Sequence, residues 1–249
     1  MIKTWSNFLS QKRNLNETIF TFFLFGIISL VFSYFLIWVE TRVPYLGEFI
    51  DPLFFWDPID LSIPTFILTY GIIMFYIFFH LNSPLKVIHF IQMITFIVLC
   101  RIISLTLIQF DAPIPIDPST GEYLYLLKDI PANYSGQTMI QLADPILNNI
   151  IYHADPDQPL NYTHHDLFFS GHTAKCLLAS LLYKNKKVRI FFITLTCIMA
   201  TFLLLQHVHY SIDIFFAPIV SFAAIYLHGK WKVKRLNKIK KTKSHIAKK

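Results

Sequence analysis

Two short segments place histidine close to a carboxylate, a combination suited to nucleophilic and proton-transfer chemistry. One reads Asp166-Leu-Phe-Phe-Ser-Gly-His172-Thr, and the other reads His207-Val-His209-Tyr-Ser-Ile-Asp213. On a continuous helix, residues four apart share a face, so Asp213 is predicted to accept a hydrogen bond from one ring nitrogen of His209. That bond would fix the tautomer and leave the other nitrogen as a nucleophile.

The first segment is expected to begin a helix and to hold an anion there. Ser170 and Gly171 are small, and the exposed backbone N–H groups of a helix N-terminus favour a phosphate oxygen. His172 would then stand beside that phosphate, in position for proton transfer. The pattern therefore predicts His172, His209 and Asp213 as catalytic residues, with Ser170 and Gly171 in substrate binding.

Four further polar residues belong to the predicted substrate-binding set: Arg101, Asp166, Lys175 and His207. Arg101 is expected about 10 Å below one end of its apolar helix, at 1.5 Å per residue, where it can grip a phosphate bidentately. Lys175 shares a helix face with His172, and it either contacts the phosphate or extends to the membrane surface. No metal-ligand spacing is evident, and no cofactor is expected.

The composition excludes an ordinary soluble enzyme. Of 249 residues, 54% are hydrophobic and only 15% are charged, whereas soluble chains carry roughly 25% charged residues. The net charge of +7 does not indicate a nucleic-acid partner, because ten of the 22 lysines and arginines follow His228 in one basic tail. We predict an all-α polytopic membrane protein.

Six apolar runs are long enough to be read as membrane-spanning helices. They indicate a six-helix catalytic domain over residues 18–228, preceded by a cytoplasmic segment (1–17) and followed by a basic cytoplasmic tail (229–249). A long extracytoplasmic loop (110–166) is expected between the third and fourth helices. The predicted spans are Thr18–Val39, Ser62–Phe79, Leu85–Ile108, Leu167–Tyr183, Val188–Leu205 and Ile212–Leu227.

The distribution of positive charge predicts the orientation. With the N-terminus in the cytoplasm, the cytoplasmic segments hold 18 of the 22 lysines and arginines, as the positive-inside rule requires. Both termini are then cytoplasmic. The candidate site faces the extracytoplasmic side, either periplasmic or lumenal. The inverted orientation would place nearly all cations outside, which the rule disfavours.

The two histidine segments resemble those of the type 2 phosphatidic acid phosphatase (PAP2) superfamily, and more closely its sphingomyelin synthase branch. That branch carries a Cys-Gly-Asp-x-x-x-Ser-Gly-His-Thr block and a His-Tyr-Thr-x-Asp block. Here His164-His165 stands in place of Cys-Gly, and Ser211 stands in place of Thr. The branch's Pro-Pro-Leu-Pro-Asp segment is only partly matched here, by Asp51-Pro-Leu-Phe-Phe-Trp-Asp57.

The resemblance implies a membrane lipid phosphotransferase. It implies that His209 attacks phosphorus and forms a phosphohistidine, that Asp213 orients His209, and that His172 exchanges protons with the leaving and incoming lipid oxygens. The implied partners are a glycerophospholipid donor and a lipid alcohol acceptor, either ceramide or a diacylglycerol.

Two alternatives remain open at this stage. A lipid phosphate phosphatase or phospholipase C-like hydrolase would use the same histidines with water as acceptor. The hydrolase branch, however, usually adds Lys-x6-Arg-Pro and an arginine six residues before the nucleophile; this chain has no Arg-Pro and has Leu203 at that position. A transporter or a non-catalytic scaffold is the other alternative. A transporter, however, would be expected to place its polar site at the bilayer midplane, whereas these polar residues cluster at the outer face.

Overall fold

The described part of the chain is entirely helical. The computed structural model describes residues 1–40, 51–53, 56, 59, 61–108, 110 and 167–246. Within these ranges no strand occurs, which confirms the predicted all-α class there. The helices, numbered in chain order, are α1 (Ile2–Leu9), α2 (Lys12–Glu40), α3 (Ser62–Phe79), α4 (Pro84–Leu107), α5 (Gly171–Leu181), α6 (Lys186–Leu205) and α7 (Ser211–Ile246).

Four of these helices are long and apolar enough to cross a membrane. The spanning stretches are Lys12–Leu36, Pro84–Leu107, Lys186–Leu205 and Ser211–Arg235. They support an integral membrane protein, as predicted. A shorter apolar helix covers Ile63–Phe79.

The predicted fourth span, Leu167–Tyr183, is shorter in the structure. Helix α5 begins at Gly171 because the Ser170 side chain caps it, accepting a hydrogen bond from the backbone N–H of Thr173. Its 11 residues rise only about 16 Å, less than the roughly 30 Å hydrocarbon core of a bilayer.

The last helix is longer than predicted. We expected a span over Ile212–Leu227 followed by a basic tail, yet α7 continues without a break to Ile246. Lysine and arginine are good helix formers, so the loss of hydrophobicity after residue 228 ends the apolar stretch and not the helix. The rest of the predicted extracytoplasmic loop beyond Phe110 lies outside the described residues.

Helix α5 lies at the centre of the bundle and packs against α3, α4, α6 and α7. Small buried residues, including Ala174 and Ala179, allow the neighbouring backbones to approach it closely. The surrounding core contains larger side chains such as Phe90, Met199 and Leu203, all fully buried. Helix α5 is therefore held by four neighbouring helices.

Hydrogen bonds between helices add specificity to this packing. Ser221 of α7 donates to the Ala174 carbonyl of α5 at 2.9 Å. The hydroxyl groups of Ser180 and Thr196 lie 3.1 Å apart and join α5 to α6. Such polar contacts between apolar helices contribute about 0.6 kcal/mol each.

The outer faces of the helices are strongly apolar. Large side chains such as Phe23, Ile63 and Phe215 are at least 65% exposed. A soluble protein rarely exposes contiguous apolar surface of this kind. The exposed faces therefore fit contact with lipid.

Candidate active site

His209 and Asp213 form a buried pair at the start of α7. Nδ1 of His209 lies 3.2 Å from Oδ2 of Asp213. Both side chains are almost fully buried, at 4% and 0% exposure. An ionised carboxylate can only accept a hydrogen bond, so with Asp213 ionised Nδ1 would carry the proton and Nε2 would keep its lone pair. This is the tautomer that nucleophilic attack requires.

The pair forms differently from the expected continuous helix. His209 lies before α7, which begins at Ser211, and the same Oδ2 of Asp213 also accepts the backbone N–H of Tyr210 at 3.1 Å. A side chain in the first helical turn that reaches back to the preceding backbone is the acidic half of a capping box. Asp213 thus ends the loop, begins the helix and orients His209.

His172 faces this pair from the second residue of α5. It interacts electrostatically with both His209 and Arg101. Its ring makes an edge-on contact with Phe66 at 6.2 Å between centroids. Its Nδ1 is buried and has no hydrogen-bond partner among the described residues, so this polar atom is available to a ligand that the structure does not contain.

A backbone hydrogen bond joins the two histidine segments. The N–H of Ser170 donates to the carbonyl of Asp213 at 3.0 Å. The hydroxyl of Ser170 accepts from the backbone N–H and from the hydroxyl of Thr173. Ser170 is fully buried, and these contacts make it a structural cap that fixes where His172 emerges.

Arg101 reaches the same place from α4. Its side chain is 5% exposed and donates to the backbone carbonyl of Phe169. The guanidinium also lies 5.9 Å from the centre of the Phe169 ring. One turn along α4, Ser104 donates to the Phe168 carbonyl at 2.9 Å. Helix α4 therefore holds the loop that precedes α5 by two successive carbonyls.

Gly171 makes room for this arginine. A Cβ added at Gly171 would lie 3.1 Å from one guanidinium nitrogen of Arg101 and 3.2 Å from its Cδ. These contacts are tighter than most Cβ contacts, so alanine there would require the Arg101 side chain to shift by a few tenths of an ångström. The glycine thus sets the position of the cation relative to His172.

His207 adopts a left-handed backbone conformation, with φ of 54°. It follows the end of α6, where its N–H donates to the Leu204 carbonyl and the N–H of Val208 donates to that of Leu203. These two bonds make a Schellman motif, whose left-handed position is usually glycine. Its ring packs 6.2 Å from the Trp56 ring.

Asp51 is a residue of the site that sequence reasoning missed. Its carboxylate accepts hydrogen bonds from both the backbone N–H and the hydroxyl of Ser211, and it is 5% exposed. A negative charge at a helix N-terminus is favourable. Asp51 therefore fixes the first residue of α7, between His209 and Asp213. Its signals in the sequence are an aspartate followed by proline and a position in the segment that only partly matches the branch's Pro-Pro-Leu-Pro-Asp, and neither indicated a contact with the site.

The structure brings six of the nine predicted residues together: Arg101, Ser170, Gly171, His172, His209 and Asp213. Lys175 interacts electrostatically with His172 and is half-buried. His207 lies on the same loop as His209 but packs toward Trp56. Asp166 lies outside the described residues. Over the described ranges, no group of three or more His, Cys, Asp or Glu side chains could hold a metal ion.

Comparison with known families places this site in context. Residues 165–230 match the family model described as PAP2 superfamily, C-terminal. This match supports membership of the PAP2 superfamily. The matched residues contain both histidine segments and most of α5, α6 and α7. Members of the superfamily are generally lipid phosphatases or phosphotransferases. No curated protein and no solved structure matches the chain.

Proposed function

We propose that this protein transfers a phospho-head-group from a glycerophospholipid to a lipid alcohol such as ceramide, as sphingomyelin synthases do. The observation that carries the proposal is the 3.2 Å contact between His209 Nδ1 and Asp213 Oδ2, with His172 close enough to interact electrostatically with His209. It supplies a nucleophile, its orienting carboxylate and a separate proton carrier in one place.

The first displacement releases diacylglycerol. Nε2 of His209 attacks phosphorus, and the bond from phosphorus to the diacylglycerol oxygen breaks. His172 gives its proton to that oxygen. Arg101 offers the fork of N–H donors that suits phosphate oxygens, and Asp213 stabilises the positive charge that develops on the His209 ring.

The second displacement regenerates the enzyme. His172, now neutral, takes the proton of the acceptor hydroxyl, and the resulting oxygen attacks the phosphohistidine. The bond between phosphorus and Nε2 breaks, and both histidines return to their starting protonation states. The sequence of two displacements divides one difficult exchange into two easier ones.

A phosphodiester donor fits the charge of the site better than a phosphomonoester. Leu203, at the position where the hydrolase branch usually has an arginine, is fully buried in the apolar core. A monoester carries close to two negative charges near neutral pH and a diester carries one. A site with fewer cations therefore favours head-group transfer over dephosphorylation.

The orientation and the six-span count belong to the same proposal. With the four longer spans, α3 and the shorter α5 would make up the six predicted membrane segments, and the site would face the extracytoplasmic side. Both termini would lie in the cytoplasm with the basic end of α7.

The test is a transfer assay with the purified protein in lipid vesicles. Vesicles would contain phosphatidylcholine or phosphatidylethanolamine labelled in the head group, with or without ceramide or diacylglycerol. We expect labelled product lipid only when an acceptor alcohol is present, and none with His209→Ala. His89→Ala, a histidine near the opposite end of the bundle, is the matched control and should retain activity.

Release of inorganic phosphate from phosphatidic acid, with no new lipid formed, would assign a lipid phosphate phosphatase instead. Release of a water-soluble phospho-head-group without any acceptor would assign a phospholipase C-like hydrolase. Either result would overturn the transferase proposal, although His172 and His209 would keep their catalytic roles with water as the acceptor.

A further inference from the structure

An apolar groove of about 940 Å³ lies between α2, α4 and α7. Both α2 and α7 pack against α4, which forms the floor. Phe20, which lines one side, is 63% exposed, so the groove opens laterally. We call it the lateral groove; its main apolar lining is Phe20, Leu24, Met93, Phe96, Leu99 and Leu227.

One end of the lateral groove is positively charged. Lys12, Arg13, Glu17 and Arg235 line this end. Arg235 forms an ion pair with Glu17 at 2.9 Å, which neutralises the acid of the group. Lys12 and Arg13 therefore leave the groove mouth with a net positive charge.

A band of hydrogen-bonding side chains separates the charged end from the apolar interior. Gln92 donates to the Thr21 hydroxyl at 2.9 Å, and its Oε1 lies 2.9 Å from Nε2 of His228. All three residues line the groove. Thr21 lies eight residues beyond Arg13, or about 12 Å along α2. Charge, polar groups and apolar surface thus follow one another along the groove.

This order matches a phospholipid, in which a charged phosphate is followed by polar esters and then by acyl chains. The charged end of the lateral groove also lies far from His172 and His209 of the candidate active site. His228 is 15 residues after Asp213 on the same helix, which corresponds to about 22 Å. A phosphate bound beside Lys12 and Arg13 would be out of reach of His209.

We propose that the lateral groove binds one anionic phospholipid that is not a substrate, with its phosphate beside Lys12 and Arg13 and an acyl chain beside Leu24 and Phe96. Cations near a membrane surface attract anionic lipid, and the apolar interior adds the contribution of chain burial. The inference does not depend on the proposed reaction.

The test is native mass spectrometry of the delipidated full chain, titrated with phosphatidylglycerol or phosphatidylcholine of identical acyl chains. We expect one tightly retained phosphatidylglycerol. Lys12→Gln combined with Arg13→Gln should weaken its binding about 25-fold, a factor of about five for each cation lost. The matched control is Lys184→Gln with Lys187→Gln, which removes the same charge from exposed residues outside the groove.

A second pair of variants tests the apolar interior. Leu24→Trp fills the groove and should prevent retention of the lipid, whereas Ile27→Trp, at a 42% exposed position on the same helix, should not.

Equal retention of phosphatidylglycerol and phosphatidylcholine would overturn the proposal, and so would equal effects of the two charge variants. Binding should persist in His209→Ala, which separates this site from the reaction; consumption of the bound lipid on adding ceramide would make it a substrate and overturn the assignment.

Discussion

The backbone N–H of Ser170 donates a hydrogen bond to the backbone carbonyl of Asp213 at 3.0 Å. This bond joins the start of α5, which carries His172, to the first turn of α7, which orients His209. Because both partners are main-chain atoms, the two histidine segments are held in register independently of the side chains that would do the chemistry. Substitution of those side chains should therefore change activity more than folding.

Asp213→Asn should reduce the transfer rate by up to about 10⁴-fold, the loss seen when a histidine loses its orienting carboxylate. The amide can still accept the N–H of Tyr210, so the melting temperature should change little. Initial rates of head-group transfer, compared with thermal unfolding, would measure both. A variant that unfolds cooperatively at the normal temperature and retains full activity would contradict the assigned role of Asp213.

Gly171→Ala should lower kcat/KM by about tenfold, the result of losing roughly 1.4 kcal/mol of interaction between Arg101 and the phosphate. The added Cβ would lie 3.1 Å from the guanidinium and displace it. Gly71→Ala is the matched control, because a Cβ at that glycine meets nothing within 4 Å. Equal kinetics for the two variants would show that the position of Arg101 does not matter to the reaction.

Asp51→Ala should destabilise the protein by about 1 kcal/mol, as expected for the loss of a helix cap. It should also lower the transfer rate, because the start of α7 sits between His209 and Asp213. Asp51→Asn keeps an acceptor for Ser211 and should recover most of the loss. Thermal unfolding and transfer rates of the two variants would test this, and identical losses in both would argue against a capping role.

His207→Gly should leave the protein more stable than His207→Ala by about 1 kcal/mol, because only glycine adopts the left-handed conformation without a steric penalty. Both variants remove the imidazole, so the difference between them measures the energetic cost of the left-handed backbone conformation at residue 207. Their midpoints of thermal unfolding give the difference. Equal midpoints would mean that the left-handed turn at His207 carries no strain.

The apolar runs predicted most helix positions well. The observed α3 has the predicted bounds Ser62–Phe79, and α4 differs from its prediction by a single residue at each end. The bounds of these helices could be predicted because the length of an apolar run depends only on neighbouring residues in the sequence. The same signal predicted the helix at α5 but placed its start four residues too early and its end two residues too late, because the apolar side chains of Leu167–Phe169 continue the run while the Ser170 cap delays the helix.

The contact between His209 and Asp213 could be predicted because the two residues lie four apart, although His209 lies before the helix and not on it. The Asp51 contact could not, because it joins residues separated by α3 to α6 in the chain. The left-handed turn at His207 was also invisible, since its position is usually occupied by glycine. Long-range caps and backbone strain depend on the folded bundle, whereas residue spacing does not.

Identification of the phosphorylated residue tests the central claim most directly. The protein would be incubated with a donor lipid labelled at phosphorus, without an acceptor, quenched in base and mapped by peptide mass spectrometry. We predict an acid-labile phospho-head-group on His209, still carrying the label, that disappears when ceramide is added. Label on His172, or transfer without any phosphohistidine, would contradict the mechanism.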